Sequence, residues 1–149
     1  MVAAGDAGRY PPIRIVEVDG RPIAYRQQGE GPALVLLHGF THDSRAWGPQ
    51  LQDLSREFTV VAWDAPGAGH SPDPEPAFTY TDWARALAGF LDAIGIGRAH
   101  VVGLSWGGVL AQEMVQAAAD RVATLVLADR YAGWNGSLPD PLPVERLRS

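Results

Sequence analysis

The sequence predicts an α/β fold, in which a mostly parallel sheet carries helices on both faces and an antiparallel hairpin stands at its start. The first observation is a set of runs that are apolar at nearly every position, at 33–37, 58–63, 99–104 and 123–128. Such runs are typical of strands that are covered on both faces. The second observation is that segments with helical spacing separate these runs, which predicts right-handed crossovers between parallel strands.

The predicted hairpin opens the chain. Two β-rich runs, Ile13 to Val18 and Ile23 to Gln27, are separated by Asp19-Gly20-Arg21-Pro22. The Asp-Gly pair is the strongest short-range hairpin signal that a sequence offers. We therefore expect an antiparallel pair of strands ahead of the parallel part of the sheet.

Three segments between the strands have the spacing of amphipathic helices. They are Ser44 to Glu57, Asp82 to Ile94 and Trp106 to Ala119. The first helix is expected to bury Trp47, Leu51 and Leu54 along one face. For the second helix, Thr81 is the expected N-cap and Gly95 the expected stop.

Composition and charge exclude several classes of function. Hydrophobic residues make up 46% and charged residues 19% of the chain, as in an ordinary globular protein. The formal net charge of −5 is mild and its charges are interspersed, so neither nucleic acid nor a membrane surface is expected as a partner. The sequence has no cysteine, which excludes disulfides, thiolate metal sites and a cysteine nucleophile.

Targeting and metal signals are missing from the sequence pattern as well. The start of the chain has no basic segment followed by an apolar one, and no apolar run reaches membrane-spanning length. We therefore expect a cytoplasmic protein. The histidines and acids show no clustered ligand spacing, so no metal is expected, and no cofactor is implied.

The most informative motif is Gly103-Leu104-Ser105-Trp106-Gly107, which lies between a predicted strand and a predicted helix. A serine in this context is typical of a nucleophile elbow, and the flanking glycines give the sharp turn the room that it needs. Ser105 is therefore predicted to present its hydroxyl at the carboxyl edge of the sheet.

A second motif, His38-Gly39-Phe40, ends the first buried strand and is expected at the same edge. A serine hydrolase needs backbone donors where the substrate oxygen becomes negative, and the amides of Phe40 and Trp106 are the natural pair for this oxyanion hole. By itself, the His-Gly dipeptide is more typical of a turn at the end of a strand. Together with the elbow, it favours a catalytic site.

In this order the motifs resemble the α/β-hydrolase family, and specifically its esterase, lactonase and haloperoxidase-like branch. The resemblance covers Ile13 to Trp134 and rests on His38-Gly39-Phe40, Asp64 to Ser71, Gly103 to Gly108 and Asp120 to Asp129. It implies that Ser105 is the nucleophile and that Phe40 and Trp106 supply the oxyanion hole. The implied substrate is an ester, a lactone or a similar small acyl compound. The family's dehalogenases and many of its epoxide hydrolases carry aspartate at the elbow, so Ser105 argues against both activities.

The chain departs from the family pattern in its histidines. In the family a catalytic acid and then a histidine follow the serine. Here all histidines precede Ser105, at His38, His42, His70 and His100. The resemblance therefore implies an incomplete α/β-hydrolase fold without the last strands and the lid. Asp129 is a candidate acid by its position after the last strand, and His42 is a candidate pocket residue.

Domain boundaries and two functions follow from the resemblance. We interpret 1–12 as a flexible N-terminal segment, 13–130 as the amino-terminal part of a hydrolase core, and 131–149 as a loop or the start of a lid region. One function is a serine hydrolase of small acyl substrates. The other is a truncated or degenerate hydrolase without efficient catalysis, which at most binds a small ligand or self-associates. Self-association is expected because the run 123–128 would form an apolar edge strand without charge or proline.

Overall fold

The computed structural model describes residues 8–129, which form a six-stranded sheet with helices on both of its faces. The elements in chain order are β1 (Arg14–Val18), β2 (Arg21–Gln28), β3 (Ala33–Leu37), a 3₁₀ turn (Ser44–Trp47), α1 (Gly48–Leu54), β4 (Thr59–Trp63), α2 (Tyr80–Ala93), β5 (Ala99–Leu104), α3 (Trp106–Ala118), a second 3₁₀ turn (Ala119–Arg121) and β6 (Val122–Ala128). Residues 1–7 of the predicted flexible segment and the predicted loop or lid at 131–149 lie outside the described residues.

The strands follow the spatial order β1-β2-β4-β3-β5-β6. β2 pairs antiparallel with both β1 and β4, whereas β4, β3, β5 and β6 run parallel to one another. The predicted fold class is therefore confirmed, including the antiparallel pair at the start. None of the helices within residues 8–129 has the length and apolar character needed to cross a bilayer.

The hairpin turn is tighter than the sequence analysis suggested. Val18 pairs with Arg21, so the loop consists of Asp19 and Gly20 alone. Both residues have positive φ, 52° and 73°. This is the geometry of a type I′ turn, whose twist matches that of the flanking strands and which favours Asp-Gly.

The first predicted helix begins and ends differently from the prediction. It starts as a 3₁₀ turn whose N-cap, Asp43, accepts a hydrogen bond from the amide of Arg45 at 2.9 Å. It ends at Leu54, whose carbonyl accepts hydrogen bonds from the amides of Glu57 and Phe58 as the chain turns into β4. The prediction that Leu54 is buried was wrong: it is 36% exposed, because it lies on the last turn at the rim of the buried stripe.

The N-terminus of α2 corrects the predicted cap. The N-cap is Thr79 and not Thr81, because the Thr79 hydroxyl accepts from the amide of Asp82 while the Asp82 carboxylate accepts from the amide of Thr79. This reciprocal arrangement is a capping box. At the other end Gly95 follows the helix with a φ of 79°, so the predicted stop is confirmed.

Two apolar layers cover the sheet, one on each face. On one face Trp47 of the first 3₁₀ turn and Leu51 of α1 pack against alternate residues of β3 and β4. On the other face α2 and α3 contribute a larger layer, including Phe90 and Leu110. Successive residues of a strand point to opposite faces, which explains why β3 is apolar at every position.

β6 corrects one expectation about burial. The apolar run was expected to be covered on both faces, yet Val126 is 49% exposed and Thr124 is exposed as well. Leu125 and Leu127 pack against the larger apolar layer. Within residues 8–129 only β5 pairs with β6, so this strand lies at the end of the described sheet.

Candidate active site

The register of two neighbouring strands places the predicted motifs side by side. β3 and β5 are adjacent and parallel, and Leu37 lies opposite Gly103. His38-Gly39-Phe40 and Ser105-Trp106 therefore leave the sheet together at its carboxyl edge. Binding sites of open α/β sheets lie at this edge.

Ser105 occupies the strained turn that the sequence predicts. Its backbone has a φ of 51° and a ψ of −112°, which is an unusual conformation for a residue other than glycine. Backbone hydrogen bonds hold it there: its amide donates to the carbonyl of Ala128 at 2.9 Å, and its carbonyl accepts from the amides of Gly108 at 2.8 Å and Val109 at 3.3 Å. Ser105 itself is exposed, so its hydroxyl is accessible from the solvent.

The glycines around Ser105 allow backbone to pack directly on backbone. A Cβ atom at Gly107 would overlap the carbonyl oxygen of Leu37 and would lie 2.7 Å from that of His38. A Cβ atom at Gly103 would lie 2.6 Å from the carbonyl oxygen of Gly107. The first turn of α3 can therefore press against the end of β3, which brings the elbow next to the His38-Gly39-Phe40 segment.

Two backbone amides at the site have no acceptor among the described residues and can serve as donors. Within residues 8–129, neither the amide of Phe40 nor that of Trp106 donates to a backbone acceptor. Trp106 is the first residue of α3, where an amide has no partner inside the helix and where the helix dipole favours negative charge. This geometry suits the predicted oxyanion hole, whose role stays a prediction.

An aromatic cluster surrounds Trp106. Its ring lies 6.4 Å from that of Phe40 and 5.6 Å from that of Trp83, centroid to centroid, both edge to face. Trp83 also donates through Nε1 to the carbonyl of Pro66 at 3.1 Å. Trp83 thus lies beside the candidate site, which its place in the predicted helix at 82–94 does not reveal, since the spacing there is equally typical of a core residue. Phe40 is 79% exposed, so the cluster has an apolar surface open at the site.

His38 is buried and fully engaged with backbone groups. Its Nδ1 lies 2.8 Å from the carbonyl oxygen of Gly39, and its Nε2 accepts a hydrogen bond from the amide of Ala65 at 3.1 Å. Burial lowers the pKa of His38 below its ordinary 6.5, outweighing the hydrogen bond to the Gly39 carbonyl and the nearby carboxylates of Asp64 and Asp43. The ring is therefore neutral at pH 7. Since Nε2 accepts, the proton lies on Nδ1 and is donated to Gly39.

The glycine-rich segment after β4 is organised around Asp64. This buried carboxylate accepts hydrogen bonds from the amides of Ser44 at 2.7 Å and His70 at 2.9 Å. Gly69 packs so closely against it, with a φ of 50°, that a Cβ atom would lie 2.5 Å from Asp64 Cγ. Ser71 donates to the Asp64 carbonyl and links the loop to β2. These hydrogen bonds hold the segment against β2 and the first 3₁₀ turn, which indicates a structural role.

The other candidate residues lie around this core of the site. His42 is exposed, and its Nδ1 would lie 3.2 Å from a Cβ atom on Gly39. It lines a cavity of about 380 Å³, but in the described part of the chain Ser105 is not among the lining residues. Asp129 is exposed and directly follows Ala128, whose carbonyl binds the Ser105 amide. The structure thus places Asp129 at the same edge as the elbow.

Two histidines are occupied elsewhere. His100 lies at the amino end of β5, where its ring packs edge to face on Phe58 at 5.8 Å. His70 is exposed, with Nδ1 3.7 Å from Asp64 Oδ2. Among residues 8–129 there is no group of three or more histidine, aspartate or glutamate side chains that could hold a metal ion.

Comparison with known proteins establishes the family. The sequence model for the alpha/beta hydrolase fold matches residues 32–146. The chain therefore belongs to the α/β-hydrolase family, as its motifs predicted.

Individual relatives agree with this assignment. The dihydrolipoyllysine-residue acetyltransferase component of the acetoin cleaving system from Cupriavidus necator is 37% identical over 83% of this chain and 33% of its own length. The putative carbamate hydrolase RutD from Azorhizobium caulinodans is 32% identical over 76% of this chain and 43% of its own length.

A solved structure is similar across most of the described fold. A bacterial membrane phospholipase A superposes with a TM-score of 0.79 at 34% identity, covering 88% of this chain and 42% of that protein. The chain thus spans less than half the length of each of these three relatives.

Proposed function

We propose that the chain carries the nucleophile and the oxyanion hole of a serine hydrolase that acts on acyl substrates such as esters or lactones. The observation that supports this most directly is the exposed Ser105 on its strained turn, beside the free amides of Phe40 and Trp106. Mutual placement of a nucleophile and two donors is the minimum for acyl transfer.

In the proposed reaction the Ser105 hydroxyl attacks the substrate carbonyl and loses its proton to a base. The carbonyl oxygen becomes negative, and the amides of Phe40 and Trp106 stabilise it by hydrogen bonds. Collapse of this intermediate expels the leaving group and forms an acyl-enzyme, which water then hydrolyses. Because Trp106 begins a helix, the dipole of α3 adds to this stabilisation.

The names of relatives are consistent with a carbonyl substrate. One relative is a putative carbamate hydrolase and a similar structure is a phospholipase A. Both names describe cleavage next to a carbonyl carbon, which a serine elbow with an oxyanion hole can promote. The exposed Phe40 favours an apolar acyl group on the substrate.

The proposed reaction needs a general base that accepts the proton of Ser105. His38 is occupied by two backbone hydrogen bonds, so it is unsuited to accept the proton of Ser105. His42 is the exposed histidine beside the oxyanion segment, and we propose it as a pocket residue. Asp129 is the proposed acid, because it follows the strand end that binds Ser105.

A second function is supported by one observation. Among residues 8–129, no histidine is hydrogen-bonded to the Ser105 hydroxyl. A chain in this arrangement would bind a small acyl compound at the elbow and turn it over no faster than background.

Hydrolysis of p-nitrophenyl acetate distinguishes the two functions. The initial burst and the steady rate are measured for the chain, for Ser105→Ala and for the control Ser55→Ala, whose hydroxyl donates to a carbonyl at the end of α1. The proposal expects a burst that Ser105→Ala abolishes and Ser55→Ala retains. Equal rates in all three proteins would contradict it and favour the binding function.

A further inference from the structure

The carbonyl of Gly39 is held by two donors at the candidate site. His38 Nδ1 lies 2.8 Å from this oxygen, and the amide of His42 donates to it at 3.1 Å. The same peptide unit carries the amide of Phe40. In a trans peptide the C=O and N–H bonds point in opposite directions. Fixing the Gly39 oxygen therefore fixes the direction of the Phe40 N–H, which points away from the buried imidazole.

The imidazole is itself anchored to a neighbouring strand. The amide of Ala65, just after β4, donates to His38 Nε2 at 3.1 Å, and His38 is 1% exposed. A neutral imidazole has one donor and one acceptor nitrogen. Because Nε2 accepts, Nδ1 must donate, and the ring can hold the Gly39 carbonyl only in this tautomer. The end of β4 thus determines the orientation of a peptide unit that follows β3.

We propose that His38 is a positioning residue of the oxyanion hole, which aims the amide of Phe40 at the substrate oxygen by holding the carbonyl of Gly39. This inference rests on the proposed function of Ser105 and the two amides. His38 would then have a role in catalysis as well as in the turn that follows β3. The residue touches no substrate and acts through the Gly39–Phe40 peptide unit.

Protonation should release this arrangement. A second proton on Nε2 would point at the amide of Ala65, so the anchor would be lost. The ionisable groups facing the ring are His42 and Asp43 from its own loop and Asp64 from the end of β4. Burial opposes protonation and dominates, and His42 opposes it as well, whereas the hydrogen bond to the Gly39 carbonyl and the two carboxylates favour it. The anchor is therefore intact at pH 7 and is lost only as the pH falls through the lowered pKa of His38.

Two substitutions separate the two hydrogen bonds of His38. In His38→Asn the amide group takes the place of Nδ1, so it can still donate to the Gly39 carbonyl but cannot reach Ala65. In His38→Gln the longer side chain can accept from Ala65 but loses the donor at the Nδ1 position. His38→Asn leaves the amide of Ala65 without its acceptor, whereas in His38→Gln the Gly39 carbonyl keeps the amide of His42 as its single donor. The stability of both variants is therefore measured by urea denaturation beside their rates. Only the second variant should misdirect the Phe40 amide.

The kinetic readout is the rate of Ser105 acylation by p-nitrophenyl acetate. We expect His38→Asn to stay within about threefold of the parent chain. His38→Gln should be slower by about tenfold to a hundredfold, short of the roughly 10²- to 10³-fold loss when an oxyanion donor is removed. Equal rates in the two variants, or losses that follow stability alone, would overturn the proposal.

A second readout does not depend on activity. In a ¹⁵N NMR spectrum of the imidazole, His38 should show a protonated Nδ1 and an unprotonated Nε2 at pH 7. The amide signal of Phe40 should shift in His38→Gln but hardly in His38→Asn. The opposite tautomer, or a Phe40 signal that is the same in all three proteins, would overturn the proposal even if Ser105 proves inactive. If Ser105→Ala leaves the rate unchanged while these NMR results hold, the catalytic function fails and the positioning of Phe40 stands.

Discussion

Ser105 shows how much the site depends on close backbone packing. The residue keeps a positive φ because its amide and carbonyl are both bound, and because Gly107 lets α3 approach the end of β3. Strained conformations of this kind persist only when their surroundings determine them fully. A small change at a neighbouring glycine should therefore disturb the nucleophile.

Gly107→Ala is expected to lower the free energy of unfolding by about 2–3 kcal/mol, as for an overpacked core position. The added methyl group would meet the carbonyl oxygens of Leu37 and His38, which belong to the backbone and cannot move aside easily. Urea denaturation measures the effect. Gly97→Ala is the matched control: nothing lies within 4 Å of its Cβ position, so its stability should not fall. Equal stabilities for the two variants would show that the fold does not need a glycine at position 107 for α3 to approach β3.

The ionisation of His38 predicts a pH dependence of stability. Its pKa is lowered in the folded chain by burial, so the unfolded chain binds the proton first as the pH falls below 6.5. The free energy of unfolding should therefore decrease from pH 6.5 downwards until the pH reaches the folded pKa. His38→Asn cannot titrate, and its stability should lack this decrease. A parent chain and variant with parallel profiles would contradict the effect.

Asp43 contributes in a lower pH range. Partial burial raises its pKa, but hydrogen bonds from the side chain and amide of Arg45 outweigh this and hold the pKa below 3.8. Its contribution to stability is present above pH 3.8 and is lost as the pH falls through the lowered value. The contribution of His38, which changes below pH 6.5, and that of Asp43, which changes below pH 3.8, can therefore be distinguished by measuring stability across one pH series.

At the level of elements, the start of α2 separates two similar residues. Thr79→Ala should cost about 1 kcal/mol, because the capping hydroxyl and its exchange with Asp82 are lost. Thr81→Ala is the control, since Thr81 lies inside the first turn of the helix and should change stability by less than about 0.5 kcal/mol. Thermal denaturation of both variants measures the difference. A larger loss of stability for Thr81→Ala would indicate that Thr81 is the N-cap, as the sequence analysis predicted.

The same element shows what a sequence can and cannot reveal. Both threonines are good N-caps, and only the placement of Asp82 three residues after Thr79 distinguishes them. Strand positions were easier, because continuous apolar runs predicted β3 and β5 at the observed bounds. The exposure of one face of β6 was not predictable from its composition, since an apolar run of this kind is typical of strands that are covered on both faces.

The candidate site was predictable in outline for a similar reason. The elbow and the His38-Gly39-Phe40 segment each end a predicted parallel strand, so their shared edge follows from topology. Their direct contact depends on the pairing of Leu37 with Gly103, which no local pattern encodes. The hydrogen bond from Ala65 to His38 joins residues far apart in sequence, so it needed the structure.

At the scale of the whole molecule, the end of the sheet raises the question of self-association. Within residues 8–129, one edge of β6 has no pairing partner, and the strand carries neither charge nor proline. Such an edge readily pairs with another strand. We expect a second copy of the chain to be that partner.

Light scattering after size exclusion tests this expectation across a concentration series. The parent chain should show a mass above that of a monomer, and Val126→Lys should shift it toward the monomer. Ile15→Lys is the matched control, because Ile15 is exposed on β1 at the other end of the sheet and should leave the mass unchanged. A parent chain that remains monomeric at high concentration would contradict pairing through β6.

The bond from the Ser105 amide to the Ala128 carbonyl has a consequence for the timescale of motion at the site. Strand ends at the edge of a sheet open more often than its centre. Each opening at the end of β6 releases the Ser105 amide, so amide hydrogen exchange at Ser105 should follow that of the neighbouring β6 amides and not the slower exchange of β3. The nucleophile is thus bound to a strand at one end of the described sheet, and we expect its reactive conformation to persist only while that strand end stays closed.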